Sequence, residues 1–318
     1  MSGTVLSPWA RLGIENMPQR LAKHAGYLGN NSDKDLYEFY KNIDGVSLLY
    51  AERKIINKEE RRNCILLPVA PCIEPYITDD CIIPENPMLM MRKAWSNDIP
   101  LIIGGTTDEG YLMKTPELLN GVDDFAYFLP LELDIDRHGE KARELGLRIK
   151  QTHFGDKPVN RSTLKEFYDL YGYKLFWHGI HRTVLSRMQY ASAPTYLYRF
   201  DCDSPTFNHM RNFWCGSNIR GTCHADDLSY IFYNAISEDL SKDSMEYKVI
   251  QMMMTILENF ANTGDPNNSS IGVTWPAVKR DEKPLRCLNI SEKNEVIELP
   301  YEKKLEAWDS LYPPGKLI

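Results

Sequence analysis

The sequence predicts an α/β fold built on an open sheet, and three observations carry that prediction. Residues 99–103, IPLII, form a short apolar run closed by Gly104-Gly105. The run is too short for a buried helix and reads as a strand covered on both faces. A second strand candidate is PTYLYRFD at 194–201. Between the two lie helical stretches at 138–152, 161–172 and about 174–190, and strand, helices, strand is the order of an open α/β sheet. Only these two parallel candidates are visible, fewer than a doubly wound sheet requires.

The remaining elements follow in chain order. Residues 11–43 read as two short helices joined by the Gly-Asn-Asn-Ser turn at Gly29. Residues 64–90, rich in Pro and β-branched side chains, read as irregular structure rather than a linker. The helices at 161–190 carry Phe167, Tyr168, Tyr171, Tyr173, Phe176 and Trp177. Such aromatic density is most simply core, with a ligand wall as the alternative. A long helix at 243–262, with Met252, Met253, Ile256, Leu257 and Phe260, stops at Thr263-Gly264-Asp265-Pro266. Two short strand-like pieces at 285–289 and 295–299 and a helix at about 302–311 close the chain. No internal repeat or low-complexity linker divides it, so residues 1–318 read as one domain.

Composition narrows the class. The 318 residues are 43% hydrophobic and 25% charged, an ordinary globular balance. A net charge of −7 argues against a nucleic-acid partner, which needs a basic patch. No apolar run approaches the roughly 20 residues of a membrane span. The opening MSGTVLSPWA lacks the basic region and apolar core of about 7–15 residues that mark a signal peptide. Seven cysteines, an odd number, contain no CxxC pair, so neither zinc nor redox chemistry is indicated and no cofactor is expected. Cysteine usage favours a reducing compartment. The Asn-x-Ser/Thr patterns at Asn30, Asn160, Asn267, Asn268 and Asn289 pull the other way.

Two loops carry candidate chemistry. IPLIIGGTTDEG, residues 99–110, places Asp108 and Glu109 just past the carboxyl end of the first strand, where α/β folds put their active groups. A carboxylate there is either functional or a cap on the next helix. GTCHADDLSYIF, residues 221–232, holds His224 in a polar loop behind Gly221, ahead of a short helix with Asp226 and Asp227 in its first turn. A single loop histidine is often only a surface residue. Here acid and histidine each follow a sheet strand, in the chain order of an α/β-hydrolase triad.

With these motifs on view, the chain resembles the C-terminal portion of a type-B carboxylesterase, an α/β-hydrolase, and within that family the insect alpha-esterases. GTTDEG is similar to the family's acid loop and GTCHADDL to its histidine loop, with Asp227 where Glu is commoner. NFANTGDPN with Trp275-Pro276 resembles the late helix and its exit, YLYRFD the strand before the histidine loop, and MSGTVLSPWA the segment after the nucleophile's helix. The resemblance implies Glu109 as catalytic acid, His224 as catalytic base, and a small-molecule carboxylic ester as substrate through an acyl-enzyme. It places Trp9 in the acyl pocket, where the alternative is a core aromatic, and Ser2 near the histidine.

The family's serine elbow, Gly-Glu-Ser-Ala-Gly, has no counterpart. No G-x-S-x-G occurs in the sequence, and Gly104-Gly105 belongs to the acid loop rather than to an oxyanion hole. By the resemblance the elbow is expected about twenty residues before Met1. The central strands, nucleophile and oxyanion hole are then absent, the chain is inactive alone, and an interior sheet edge is bared. Residues 11–63 contain no cysteine, so the family's disulfide there is missing, which favours an intracellular address. Alternatives to an esterase are a non-catalytic binding or adhesion protein and a truncated gene product. Retention of both Glu109 and His224 speaks for the enzyme.

Overall fold

The computed structural model describes residues 2–10, 14, 16–30, 32–65, 67–74, 77–113, 122, 124–234, 236 and 239–318. Met1 of the opening motif and Asn31 of the first turn lie outside the described residues. The chain divides into two compact units, one of residues 8–87 and one of residues 1–7 with 88–318.

The smaller unit is helical: α1 (Met17–His24), α2 (Asp33–Asn42), α3 (Gly45–Ile55) and α4 (Lys58–Arg62). Each start except the first is fixed by a side-chain cap, which satisfies an orphan N–H of the first turn. Ser32 accepts from Asp35 N–H, Asp44 from Ser47 N–H, and Asn57 forms a reciprocal box with Glu60. Arg20 of α1 reaches Glu60 at 2.6 Å and the Ile55 carbonyl, tying first helix to last. Ala22, Leu36, Ala51 and Ile55 form the small buried centre. The first two helices match the sequence reading, whereas α3 and α4 do not appear in it. Val46, Leu49 and Tyr50 stay exposed, so α3 offers no clean apolar stripe.

The larger unit holds all of α5 (Pro87–Arg92) but its first residue, and it is built on a four-stranded sheet of β1 (Leu101–Thr106), β2 (Thr195–Phe200), β3 (Arg286–Ile290) and β4 (Glu295–Glu298), in that order. β1 and β2 run parallel, with Leu101 opposite Thr195 and Thr106 opposite Phe200. β3 is a third parallel strand, Tyr198 opposite Leu288, and only β4 is antiparallel. The sequence left β3 and β4 as strand-like pieces, because a short run before a tight turn does not reveal which neighbour it joins.

Helices cover both faces. α6 (Glu140–Phe154), α7 (Leu164–Gly172) and α8 (His178–Tyr190) follow β1, and α7 passes into α8 through one π-helical turn, Tyr173–Trp177. α9 (His209–Cys215), α10 (Met245–Thr263) and α11 (Glu302–Asp309) complete the unit. Tyr196, Tyr198 and Phe200 of β2 pack with Met252, Met253 and Ile256 of α10 and with Trp275 in one buried cluster. Trp275 Nε1 also donates to the Leu197 carbonyl at 3.0 Å, pinning the late segment to the sheet. The aromatic residues of 167–177 are buried, as their density predicts. No helix among the described residues is long and apolar enough to cross a membrane.

Candidate active site

Gly105, near the end of β1, makes room for the carboxylate that follows. A Cβ on Gly105 would stand 2.8 Å from Glu109 Oε1 and 3.3 Å from both Trp177 and Ile180. With glycine there, Glu109 folds back over the strand end, and its Oε1 accepts the Thr106 N–H at 2.6 Å. Gly110 serves the next step. A Cβ on it would fall 1.8 Å from the Tyr168 carbonyl, so the acid's short 3-10 helix, Glu109–Met113, lies hard against α7. The carboxylate is completely buried, and its other oxygen, Oε2, lies 2.7 Å from His224 Nδ1. Glu109 therefore begins a helical turn, yet both its oxygens are committed elsewhere than a cap.

Asp108 joins the two loops. Its N–H donates to the Thr222 carbonyl at 2.9 Å, and its Oδ2 accepts the Thr222 N–H at 3.2 Å and the Thr107 hydroxyl at 3.1 Å. Asp108 and Cys223 also form a parallel bridge. Past the end of β1 the acid loop thus pairs with the histidine loop, although their residues stand 115 positions apart. Burial pushes the Asp108 carboxyl above its ordinary range against the bond from Thr222.

His224 sits between hydrogen bond and ring. Its imidazole stacks on Phe176, centroids 4.3 Å apart and planes 25° from parallel. The π-helical turn brings Phe176 to that place, an example of such turns at functional positions. Trp177, in the same turn, donates Nε1–H to the Thr106 carbonyl at 3.0 Å and backs the acid. Nδ1–H points at Glu109, which leaves Nε2 as the basic nitrogen, with no partner among the described residues. The side chain is 30% exposed, so that nitrogen is reachable. Burial alone would lower the imidazole pKa, but the hydrogen bond and charge of Glu109 outweigh it and the net shift is upward.

Around the histidine the backbone is held tightly. Ala225 adopts left-handed φ of 68°, unusual for a residue with a side chain. The next residue secures that turn: Asp226 Oδ2 accepts Cys223 N–H at 2.7 Å, while Oδ1 accepts Met210 and Arg211 N–H at the start of α9. Asp226 is fully buried, and burial pushes its carboxyl up to about 7 despite those three donors. Asp227 Oδ2 accepts the Tyr198 hydroxyl at 3.0 Å. Both aspartates belong to a 3-10 helix, Asp226–Tyr230, in the first turn where the sequence places them.

The structure thus brings Glu109 and His224 together. Trp9 lies in the other unit, half-buried in a 3-10 turn, Pro8–Ala10. Ser2 Oγ is buried and makes no hydrogen bond among the described residues. Phe176, Asp108 and Asp226 were not assigned roles from sequence. Asp108 was visible as the first of two adjacent carboxylates, whereas Phe176 is one of many aromatics and nothing singles it out. No cluster of three or more His, Cys, Asp or Glu among the described residues could hold a metal ion.

The model of the carboxylesterase family matches residues 1–308. Esterase B1 of Culex pipiens is 31% identical over 327 residues, spanning 100% of this chain and 60% of that protein. Juvenile hormone esterase of Tribolium castaneum is 24% identical, spanning 95% of this chain and 55% of its own length. The crystal structure of juvenile hormone esterase from Manduca sexta superposes with a TM-score of 0.77 at 19% identity, covering 98% of this chain and 59% of that one. The chain spans between about two fifths and three fifths of the length of the curated relatives it matches.

Proposed function

The chain belongs to the carboxylesterase family and has the α/β-hydrolase fold, and from that premise we propose that it carries the acid–base half of a serine carboxylesterase. In this reading the whole domain, of which residues 1–318 are a C-terminal portion, hydrolyses small carboxylic esters through an acyl-enzyme. The observation that supports it best is the 2.7 Å contact between a wholly buried Glu109 and His224, with Nε2 left reachable.

The chemistry follows from that geometry. His224 Nε2 takes the proton from a serine hydroxyl as the hydroxyl oxygen attacks the ester carbonyl. The imidazolium so formed carries its charge beside Glu109, which holds Nδ1–H and stabilises it without taking the proton. The same Nε2–H then protonates the leaving alkoxide, and in the second half-reaction His224 deprotonates water for attack on the acyl-serine. Phe176 limits the imidazole to rotation in its own plane, and Asp226 and Asp108 fix the backbone on which it stands. The serine and the oxyanion donors come from a segment outside these residues.

A direct test compares two polypeptides for hydrolysis of p-nitrophenyl acetate. The 318-residue chain should match its own His224→Ala variant, at background. The same residues joined to an upstream segment bearing the family's Gly-Glu-Ser-Ala-Gly elbow should turn over, and His224→Ala should then cost on the order of 10⁴–10⁶ in kcat. Turnover of the joined polypeptide that survives His224→Ala would remove the proposed role.

A further inference from the structure

Five Asn-x-Ser/Thr patterns stand in the sequence, and the ester chemistry above uses none of them. The asparagine carboxamide of such a pattern takes a bulky, hydrophilic glycan where the pattern lies on an open surface. The fold sorts four of the five. The pattern at Asn30 runs through residue 31, which lies outside the described residues.

Asn160 lies between α6 and α7, on a stretch where residues 156–158 and 160–162 are all exposed. Its Oδ1 accepts the Ser162 N–H at 2.8 Å and the Ser162 hydroxyl at 2.7 Å. These two bonds close a turn onto the third residue of the pattern and fix the plane of the carboxamide. Its Nδ2 makes no hydrogen bond among the described residues. The backbone beneath is secured without that nitrogen. Asn160 N–H donates to Thr163 Oγ1 at 3.1 Å, and Thr163 N–H donates to the Asn160 carbonyl at 3.0 Å. A substituent on Nδ2 therefore breaks no contact.

The other three patterns differ on this point. Asn267 Nδ2 donates to the Asp265 carboxylate at 2.7 Å and to the Trp275 carbonyl at 3.0 Å, so both its hydrogens are in use. A sugar there would loosen the seat of Trp275. Asn268 repeats the turn, its Oδ1 accepting the Ser270 N–H at 2.9 Å and the Ser270 hydroxyl. It is half-buried, however, and its Nδ2 donates to the Pro266 carbonyl at 3.0 Å. Asn289 lies within β3, opposite Arg199 on one side and Glu295 on the other, and its Oδ1 accepts from the Arg199 guanidinium. A residue held extended between two strands cannot close the turn.

We propose that Asn160 is an acceptor for N-linked glycosylation in the folded chain, taking a sugar from a diphosphate carrier, nucleotide or polyprenyl. Nδ2 attacks the anomeric carbon of the sugar, forming the C–N bond as the C–O bond to the carrier breaks. The diphosphate leaves with the electron pair of that bond, and the proton lost from Nδ2 passes to a base of the transferase. The carboxamide keeps Oδ1 and one N–H, so the turn onto Ser162 survives the reaction.

The test uses the purified, folded 318-residue chain in two arms. One supplies uridine diphosphate glucose with a soluble N-glycosyltransferase. The other supplies dolichyl diphosphate chitobiose with a membrane oligosaccharyltransferase. Peptide mapping by mass spectrometry then locates the sugar. Asn160 should be modified in at least one arm, which identifies the carrier. Asn267, Asn268 and Asn289 should react at least about tenfold more slowly. Ser162→Ala should abolish the reaction at Asn160 and Ser162→Thr should retain it, with circular dichroism confirming that both variants fold. The modified chain should keep its stability to within about 0.5 kcal/mol in urea. No sugar on Asn160 in either arm, equal rates at Asn160 and Asn268, or a modified chain that loses its fold would each overturn the proposal.

Discussion

Glu109 Oε2 lies 2.7 Å from His224 Nδ1 while Oε1 of the same carboxylate takes the Thr106 N–H at 2.6 Å. One buried side chain thus locks a strand end to a loop from a distant part of the chain. Its electrostatic consequence can be measured. The imidazole pKa is raised because Glu109 outweighs desolvation, so Glu109→Gln should drop it below the ordinary value of about 6.5. A histidine with a raised folded pKa lends stability that is complete below its unfolded pKa and is lost as pH rises through the folded one. The advantage of the native chain over Glu109→Gln should therefore be largest near pH 5–6 and shrink above the folded pKa. NMR titration of the His224 ring and urea melts at several pH values check both. An unchanged His224 titration in Glu109→Gln would dismiss the pair as an electrostatic unit.

Gly105 of β1 and Gly110 of the acid's 3-10 helix make a contrasting pair of predictions. In Gly105→Ala the new methyl meets the end of the Glu109 side chain at 2.8 Å. The carboxylate can swing aside, so the protein should fold with a loss of about 1–3 kcal/mol, and His224 should lose its upward shift. In Gly110→Ala the methyl meets a backbone carbonyl at 1.8 Å, which cannot swing aside. That variant should lose more stability than Gly105→Ala or fail to fold. Denaturant melts rank the two. The reverse order would mean that the acid loop is free to move away from α7.

How far the sequence foretells this site depends on the range of the interaction. Glu109 and His224 were readable because each lies in a loop with its own local signature, Gly104-Gly105 just ahead of the acid and Gly221 just ahead of the histidine, although α9 lies between β2 and His224. The helices at 138–190 were readable from spacing, and their ends shifted by only a few residues. The strand-like piece at 285–289 was readable too, but not its parallel pairing, since Arg286–Ile290 joins a strand whose nearest residue is 86 positions earlier in chain order. Phe176 was hidden for a related reason. It is one of several buried aromatics, and only the extra residue of the π turn aims it at the imidazole. In the smaller unit, caps such as Asp44-x-x-Ser47 and Asn57-x-x-Glu60 were present in the sequence, but without an apolar stripe beside them they did not announce helices.

Asp226 supplies a prediction about pH. Asp226→Ala strips acceptors from the N–H groups of Met210, Arg211 and Cys223. Leaving buried donors unpaired should cost about 3 kcal/mol or more in total, and the His224 backbone should loosen with it. The native carboxyl has a folded pKa of about 7, above its unfolded value of about 3.9. The folded state therefore keeps a proton that the unfolded chain releases, and stability from this group falls as pH rises from about 4 to about 7. Asp226→Asn cannot titrate and should flatten that part of the profile. Chemical denaturation at pH 4.5, 6 and 7.5 decides the matter. A native slope equal to that of Asp226→Asn would mean that the three donors hold the carboxylate ionised throughout.

The late segment is fixed by a clamp that can be separated into parts. Asn267 accepts Trp275 N–H at 2.7 Å and donates to the Trp275 carbonyl at 3.0 Å, while the indole Nε1 donates to Leu197 of β2 at 3.0 Å. Asn259 of α10 in turn donates to the carbonyls of Asp265 and Asn267, both at 2.7 Å. The Asn and Trp positions of this motif thus form one chain of hydrogen bonds from helix to sheet. Trp275→Phe removes the indole donor and some buried volume and should cost about 2–4 kcal/mol. Asn267→Ala should cost about 2 kcal/mol by freeing the Trp275 backbone. If Asn267 acts by placing the indole, the double variant should lose less than the two single losses together, with a coupling of about 1 kcal/mol. A double-mutant cycle by denaturant titration measures it. Strict additivity would show that Asn267 stabilises its loop alone and leaves the seating of Trp275 on β2 to packing.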